Sequence, residues 1–500
     1  MTLRADRRGS IGVMGALVAV PLIALAGVAV DATRLWLVQS RLQSSLDAAV
    51  LVTTRAMTES NGPTDGISLF WSNFGRTSKS TNIGYLGAVA TAPQVVFPDA
   101  NTVQMTTQAV VPTLFMGLLG VSQVVVHATS AGNRTVFGME LALVLDVTGP
   151  MAASNNIGAL RQSASNLIDI LYGSSDTQPN LWVSVVPYVA SVNIDPSKSG
   201  WLVPGSLDQT QYQNTQWMGC VEARSANGND MNDATPAQAP FTPFLWKSTR
   251  GKYFNGTRPV TGDNDWSPTH ITESQQSRIG NNTVGPNLSC PQAPILALTA
   301  SKRIILNTIA GLQATYRGGG FANLGLQAGW FTLSPNWRGL WGNPTLPLDY
   351  GTPAMQKVVV LMTGGVNQWF DWPGGAPGLA PSSYVGQSVD ADYTAYGRLS
   401  ENRLNITIPN SGNLAADSMV ANANAEVGIN QRMAQLCTRI KNAGITVYAI
   451  TFGVADAATQ ALWKGCASKP DNYFNSPTQA ALKDAFSQIG SQLASLRLTQ

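Results

Sequence analysis

Five hundred residues are enough for two or three domains and a large buried core. Only 12% of them are charged and the formal net charge is +3; with no basic run interleaved with aromatics, this argues against a nucleic-acid-binding surface. The 47 glycines and 28 prolines, with abundant Asn, Ser and Thr, point to long ordered loops.

The chain opens with Arg4, Arg7 and Arg8, and residues 11–30 are then uncharged and almost wholly apolar. As a helix this stretch would span ~30 Å, the thickness of a bilayer's hydrocarbon core. Arginines before it and Asp31 after it predict a cytoplasmic N-terminus and an external remainder. A cleaved signal peptide competes with that reading, since Ala24-Leu25-Ala26 offers a small-residue site. The apolar run is long for a signal, however, and Leu35, Val38, Leu42, Leu46 and Ala49 continue at helical spacing beyond it. An uncleaved anchor running into a stalk is expected over 1–57, with residues 31–500 outside the cytoplasm.

Residues 58–137 read as a small α+β module. Short strand-like pieces (88–90, 94–97, 102–111, 123–127) alternate with Gly, Asn and Pro, and the stalk helix is expected to pack on their antiparallel sheet. Leu114–Leu119 is an apolar patch too short to span a membrane. Asn133 and Arg134 would link into the remaining domain, 138–500.

That domain begins with MELALVLDVTGPM, residues 139–151. Five unbroken apolar residues, Leu141 to Leu145, suit a strand buried on both faces of a parallel sheet. Asp146 ends the run, a turn follows, and Ile157, Leu160, Ala164, Leu167, Ile168 and Leu171 recur at helical spacing. This is the opening βα unit of a doubly wound, Rossmann-like α/β domain, whose ligands sit just outside the carboxyl ends of the strands. Further strands are expected at 181–189, 357–363 and 445–452, and helices at 295–314, 415–441 and 479–496. Two long stretches, 190–290 and 366–413, lack periodicity and read as insertions. Within the first, Asn227–Asp233 (NGNDMND) has the oxygen-rich look of a calcium loop but not the spacing of an EF-hand, which favours turn chemistry.

Four cysteines, Cys220, Cys290, Cys437 and Cys466, allow three pairings. With no C-x-x-C and only His127 and His270 as histidines, a zinc site is not expected. In an exported chain two disulfides are expected, with four buried thiols as the alternative. Cys220–Cys290 and Cys437–Cys466 are the favoured pairs, because each brackets one insertion or one terminal βα unit. No nucleophile motif lies beside either histidine, and Gly318–Gly320 is not followed by Lys-Ser/Thr, so neither covalent catalysis nor a phosphate loop is expected. No catalytic residue is assigned.

Three segments carry a family resemblance. RRGSIGVMGALVAVPLIALAGVAVDATRLWLVQSRLQSSLDAAVL resembles the N-terminal membrane segment of the TadE/TadG-like Flp pilus-assembly family. Trp217–Arg224 is similar to a W-x-G-C-x-x-x-R element of TadG-like proteins, and Ser334–Trp341 lies in an L-S-P-x-W-R-G-L-W segment typical of them. The strand ending in D-V-T-G-P-M also resembles the first metal loop, D-x-(S/T)-G-S-M, of a von Willebrand factor A domain. In that family two aspartates and three hydroxyls hold Mg²⁺. Asp146 and Thr148 match, whereas Pro150 replaces a hydroxyl, Gly320 stands at the second-loop Thr, and Gly364 replaces the third-loop Asp in T-G-G. The resemblance implies a structural or assembly component of a Tad/Flp pilus system, single-pass in a bacterial inner membrane and facing the periplasm. Its partners would be other pilus-assembly or envelope proteins. No cofactor is expected, with weak Mg²⁺ binding as the alternative, and a metal-dependent adhesin is the competing function.

Overall fold

In the computed structural model the described residues are 10–56, 61–75, 84–99, 102–133, 137–207, 216–245, 254–255, 258–259, 286–315, 319–369 and 393–498. They fall into two compact units, divided between Val136 and Phe137.

The first unit is built on α1 (Ser10–Arg55), a single 46-residue helix. Its character changes along its length. Leu17, Leu22, Ile23 and Leu25 are exposed, whereas Val38, Leu42, Leu46 and Ala49 are buried. The buried stripe covers an antiparallel sheet of β1 (Val89–Ala90), β2 (Gln94–Asp99), β3 (Thr102–Pro112) and β4 (Gln123–Asn133), in which β3 pairs with all three others. On β3, Val103, Met105, Ala109 and Val111 are buried with a period of two, the mark of a sheet with one covered face. Between α1 and β1 in chain order comes a helix that the sequence reading missed, α2 (Gly62–Phe74), which packs on α1. Pro63 suits its first turn, Phe70 and Phe74 stack one turn apart on its buried face, and Gly75 ends it at φ +87°. Short length and only two large apolar anchors hid it among strand-like pieces.

The second unit is a doubly wound sheet. β5 (Gly138–Asp146), β6 (Leu181–Tyr188), β12 (Met355–Thr363), β13 (Thr446–Phe452) and β14 (Tyr473–Ser476) run parallel in the order β14-β13-β12-β5-β6. Short antiparallel strands, β7 (Val192–Asn193), β8 (Cys220–Val221) and β11 (Leu296–Thr299), extend the β6 edge. A two-rung ladder, β9 (Phe254–Asn255) with β10 (Arg258–Pro259), stands apart. Every residue of β5 is buried, and its side chains alternate between two cores. Leu141, Leu143 and Leu145 face α3 (Asn156–Tyr172), α4 (Lys302–Ala310) and α8 (Gln479–Leu498); Ala142 and Val144 face α5 (Ala322–Leu333), α6 (Leu414–Asn442) and α7 (Ala457–Cys466).

Residues 295–314 are not the single helix expected from their pattern. Leu296–Thr299 joins the sheet as β11, and Ser301 caps α4 by accepting the Ile304 N–H. Strand β14 was also unforeseen; it has four residues, only one of them buried. All twelve residues of α5 are buried, which an amphipathic helix on an open sheet would not show. The insertions supply its outer cover, as described below. Disulfides join Cys220 to Cys290 and Cys437 to Cys466, with Cα atoms 5.7 and 5.1 Å apart.

Candidate functional site

The chain leaves β5 for β6 on one side and later returns to β12 on the other, so the carboxyl ends of β5 and β12 form a topological switch point. Ligand crevices of open α/β sheets lie there. All five positions singled out by the loop pattern come together at this point. Asp146 ends β5 and Thr148 follows it. A Cβ on Gly320 would lie 3.5 Å from Thr148 Cγ2, and one on Gly364 would lie 3.8 Å from Asp146 Oδ2. Pro150 faces the third loop, its Cγ 3.9 Å from where a Cβ on Gly365 would be. Gly320 and Gln368 exchange backbone hydrogen bonds at 3.3 and 3.1 Å, closing the second loop on the third.

The chemistry at this point is that of a satisfied carboxylate. Asp146 is buried; Oδ1 accepts the Thr148 N–H at 2.8 Å, and Oδ2 accepts the Gly364 N–H at 2.8 Å and the Thr363 hydroxyl at 3.2 Å. Burial pushes its carboxyl above the ordinary range, and the bonds from Thr148, Gly364 and Thr363 oppose that shift. Tyr188, beneath it, donates its hydroxyl to Met362 O at 3.0 Å. A divalent ion of the Mg²⁺ type needs near-octahedral oxygen ligands. Here the second and third loops offer no side-chain oxygen at 320 or 364. The space a side chain at 364 would enter is filled as well: its Cβ would lie 2.5 Å from Sδ of the buried Met151. The donor set does not fit the ion. Among the described residues, no group of three or more His, Cys, Asp or Glu side chains gathers that could hold a metal.

Behind the switch point the insertions lock onto α5. Asn367 accepts the Ala322 N–H at 3.0 Å at the helix start and donates to Asn430 of α6 at 2.8 Å. The oxygen-rich 227–233 loop faces inward. Buried Asp230 accepts from the Tyr396 hydroxyl and from Arg432 Nε, both at 2.8 Å; the Tyr396 hydroxyl in turn accepts from Asn323 of α5 at 2.7 Å. Asp233 accepts from Ser334 at 2.5 Å and Asn336 at 3.0 Å, and the carbonyls of Asn229 and Asn232 accept from Gln327. These bonds are tertiary ties to other elements, and the local bond expected of a turn is the Ala234 N–H to Asn232 Oδ1 contact at 3.0 Å.

The two sequence signatures meet on the same helix. Phe331 of α5 stacks on Trp337 with ring centroids 4.3 Å apart, and the guanidinium carbon of Arg224 lies 4.9 Å from the Phe331 ring and 4.4 Å from that of Phe241. Arg224 Nη1 donates to the carbonyls of Ala234 and Ala239, and burial lowers its pKa to about 10. Arg224→Lys keeps the charge but loses the planar stack on the Phe241 and Phe331 rings and shortens the reach of the donor that serves both carbonyls. We expect a loss of roughly 1–3 kcal/mol in denaturant unfolding, the cost of leaving buried carbonyls unpaired; an unchanged midpoint would remove Arg224 from this role. His127 lies on β4, in the other unit, and His270 lies outside the described residues. The buried pair Glu140–Lys357, on β5 and β12, was missed by sequence reasoning; its only signal is one opposite charge at the third position of each strand.

Residues 9–56 match the Tad family model, described as "Putative Flp pilus-assembly TadE/G-like". No curated protein matches the chain. Among solved structures, the chain is similar to the von Willebrand factor domain of the type V pili tip protein Mfa5 from Porphyromonas gingivalis. That likeness has 10% identity and a TM-score of 0.35, covering 73% of this chain and 97% of that one. The pilus adhesin SpaC from Lactobacillus rhamnosus GG gives 11% identity and a TM-score of 0.33, over 81% of this chain and 34% of that one. The adhesive tip pilin GBS104 from Group B Streptococcus agalactiae gives 11% and 0.32, over 84% and 70%. This chain thus spans about a third of the length of the SpaC chain.

Proposed function

We propose that this chain is a membrane-anchored structural or assembly component of a bacterial Tad/Flp pilus system, acting by protein–protein contact. Its N-terminus would be cytoplasmic and both units periplasmic, held at the inner membrane by the apolar half of α1. The observation that carries the reading is the TadE/G-like match over 9–56, because it coincides with the helix that is long and apolar enough to cross a membrane. The second unit would be a von Willebrand factor A-like domain whose ligand crevice no longer recruits an ion. A metal-dependent adhesin is the second reading, favoured by the convergence of all five loop positions at the switch point. Pro150, Gly320, Gly364 and the filling of the site by Met151 weigh against it.

Asp146→Ala separates the two. It removes the acceptor of two backbone N–H groups, so we expect a stability loss of roughly 2–6 kcal/mol, at about 1–3 per buried unpaired group. Mg²⁺ or Mn²⁺ should shift the unfolding of neither the parent nor the variant. A stoichiometric ion site in calorimetric titration, abolished by Asp146→Ala, would restore the adhesin. For the assembly reading itself, in-cell cross-linking of the full chain should capture other pilus-assembly or envelope proteins at the inner membrane; capture of none of them would overturn it.

A further inference from the structure

Between β3 and β4 the chain passes through residues 113–122, TLFMGLLGVS, without one charged side chain. Hairpin tips that face water are built from Gly, Asn, Asp and Ser. Here Leu118 is 85% exposed, Leu119 65% and Leu114 59%. Apolar surface gathered in this way marks an interaction site.

The loop is held rigidly at one level of α1. Asp31, buried at the end of the apolar stretch, accepts the Leu114 N–H through Oδ1 at 2.9 Å, and the Phe115 and Met116 N–H groups through Oδ2 at 2.8 and 2.7 Å. Arg34 donates to Pro112 O at 3.1 Å, just before the loop. The Phe115 ring lies against Gly27, where a Cβ would come within 2.6 Å of it. Gly27 is four residues, or ~6 Å, further into the apolar stretch than Asp31. The loop also closes its own backbone: the amides of Leu118, Gly120 and Val121 bond to the carbonyls of Phe115, Gly117 and Met116. A backbone closed in part suits a shallow, interfacial depth, where the remaining polar groups still reach headgroups and water, and not the hydrocarbon core. Around the helix in the same apolar stretch α1 exposes Leu22, Ile23, Leu25 and Val30. Trp36, 68% exposed, lies about one and a half turns beyond Asp31, where an interfacial aromatic belongs.

We propose that the Leu114–Leu119 loop dips into the periplasmic leaflet beside α1, its occupant being the acyl chains of the bilayer that α1 crosses. The proposal rests on the reading of α1 as a membrane anchor. It gives the first unit two membrane contacts, one spanning and one shallow, which together fix its tilt at the surface. Asp31 joins them, because its carboxylate closes the loop where the apolar stretch ends.

The test uses the full chain reconstituted into phosphatidylcholine–phosphatidylglycerol vesicles, with an NBD label on Leu118→Cys or, at the far end of β4, on Asn133→Cys. The native cysteines are paired, so the new thiol takes the label, and the exposed Leu118 side chain can be replaced without disturbing packing. Nitroxide on the upper acyl chain should quench NBD at 118 and leave 133 untouched, while aqueous iodide should do the reverse. Iodide quenching at 118 in a chain that resists carbonate extraction would overturn the proposal and leave the anchor standing. Protection of 118 from both quenchers would also overturn it, by showing a protein contact such as a second copy. Release of the chain by carbonate would overturn the anchor, and the proposal with it.

Discussion

Replacing Lys357 by methionine is expected to cost the folded chain about 3–5 kcal/mol, because it leaves the Glu140 carboxylate buried without its partner. The two residues face each other across β12 and β5 and form an ion pair. Lys357 also donates to Leu333 O, at the end of α5, at 2.9 Å, and Glu140 accepts the Leu348 N–H at 2.7 Å. Burial pushes the Glu140 carboxyl up and the Lys357 ammonium down, each toward its neutral form. Desolvation is therefore the dominant cost at this pair, and attraction only offsets it. The consequence is asymmetric. Glu140→Gln with Lys357→Met removes both charges and keeps an acceptor for Leu348, so the double variant should recover most of the loss. A denaturant double-mutant cycle measures this. Single variants confined to about ±0.5 kcal/mol, the range of surface substitutions, would show that the pair is not buried in solution.

Legibility in the sequence followed the range of the forces involved. The central strands were readable because burial on both faces leaves an unbroken apolar run, as at Leu141–Leu145 and Val358–Met362. α1 was readable because its periodicity continues over many turns. β11 and β14 were not: each has four residues and takes its strand character from a neighbour's edge. The same division holds at the crevice. Asp146, Thr148 and Pro150 lie in one local loop, and Gly320 and Gly364 could be placed by counting along loop patterns. That Met151 fills the space beside Gly364 depends on tertiary packing, and no spacing in the chain encodes it. Nor could the role of Arg224 or Trp337 be seen before α5 was known to lie between the insertions.

The two disulfides should separate local from global stability. In the chain-entropy picture, a bridge closing 70 residues contributes roughly 4 kcal/mol and one closing 29 residues somewhat less. Loop length alone would rank Cys220–Cys290 as the more important. Packing reverses that order for the global transition. Cys220 and Cys290 sit in a satellite cluster with Phe244, Leu288 and Tyr393, apart from the two main cores. Cys437 and Cys466 belong to the main core, where α6 meets α7 through Ile440, Leu436 and Trp463. Trp217, Val221 and Phe241 tie the start and middle of this insertion to the main core, but the stretch around Leu288 and Cys290 packs only in the satellite cluster and can open without the sheet. Cys220→Ala with Cys290→Ala is therefore expected to speed tryptic cleavage within 216–290 under native conditions, while the sheet's unfolding midpoint moves little. Cys437→Ala with Cys466→Ala should lower that midpoint by the larger amount, roughly 3–4 kcal/mol, because α6 and α7 can leave the sheet only when the core opens. Equal shifts in the midpoint, with no change in cleavage, would mean that the first insertion unfolds only with the sheet and is as much a part of its core as α5.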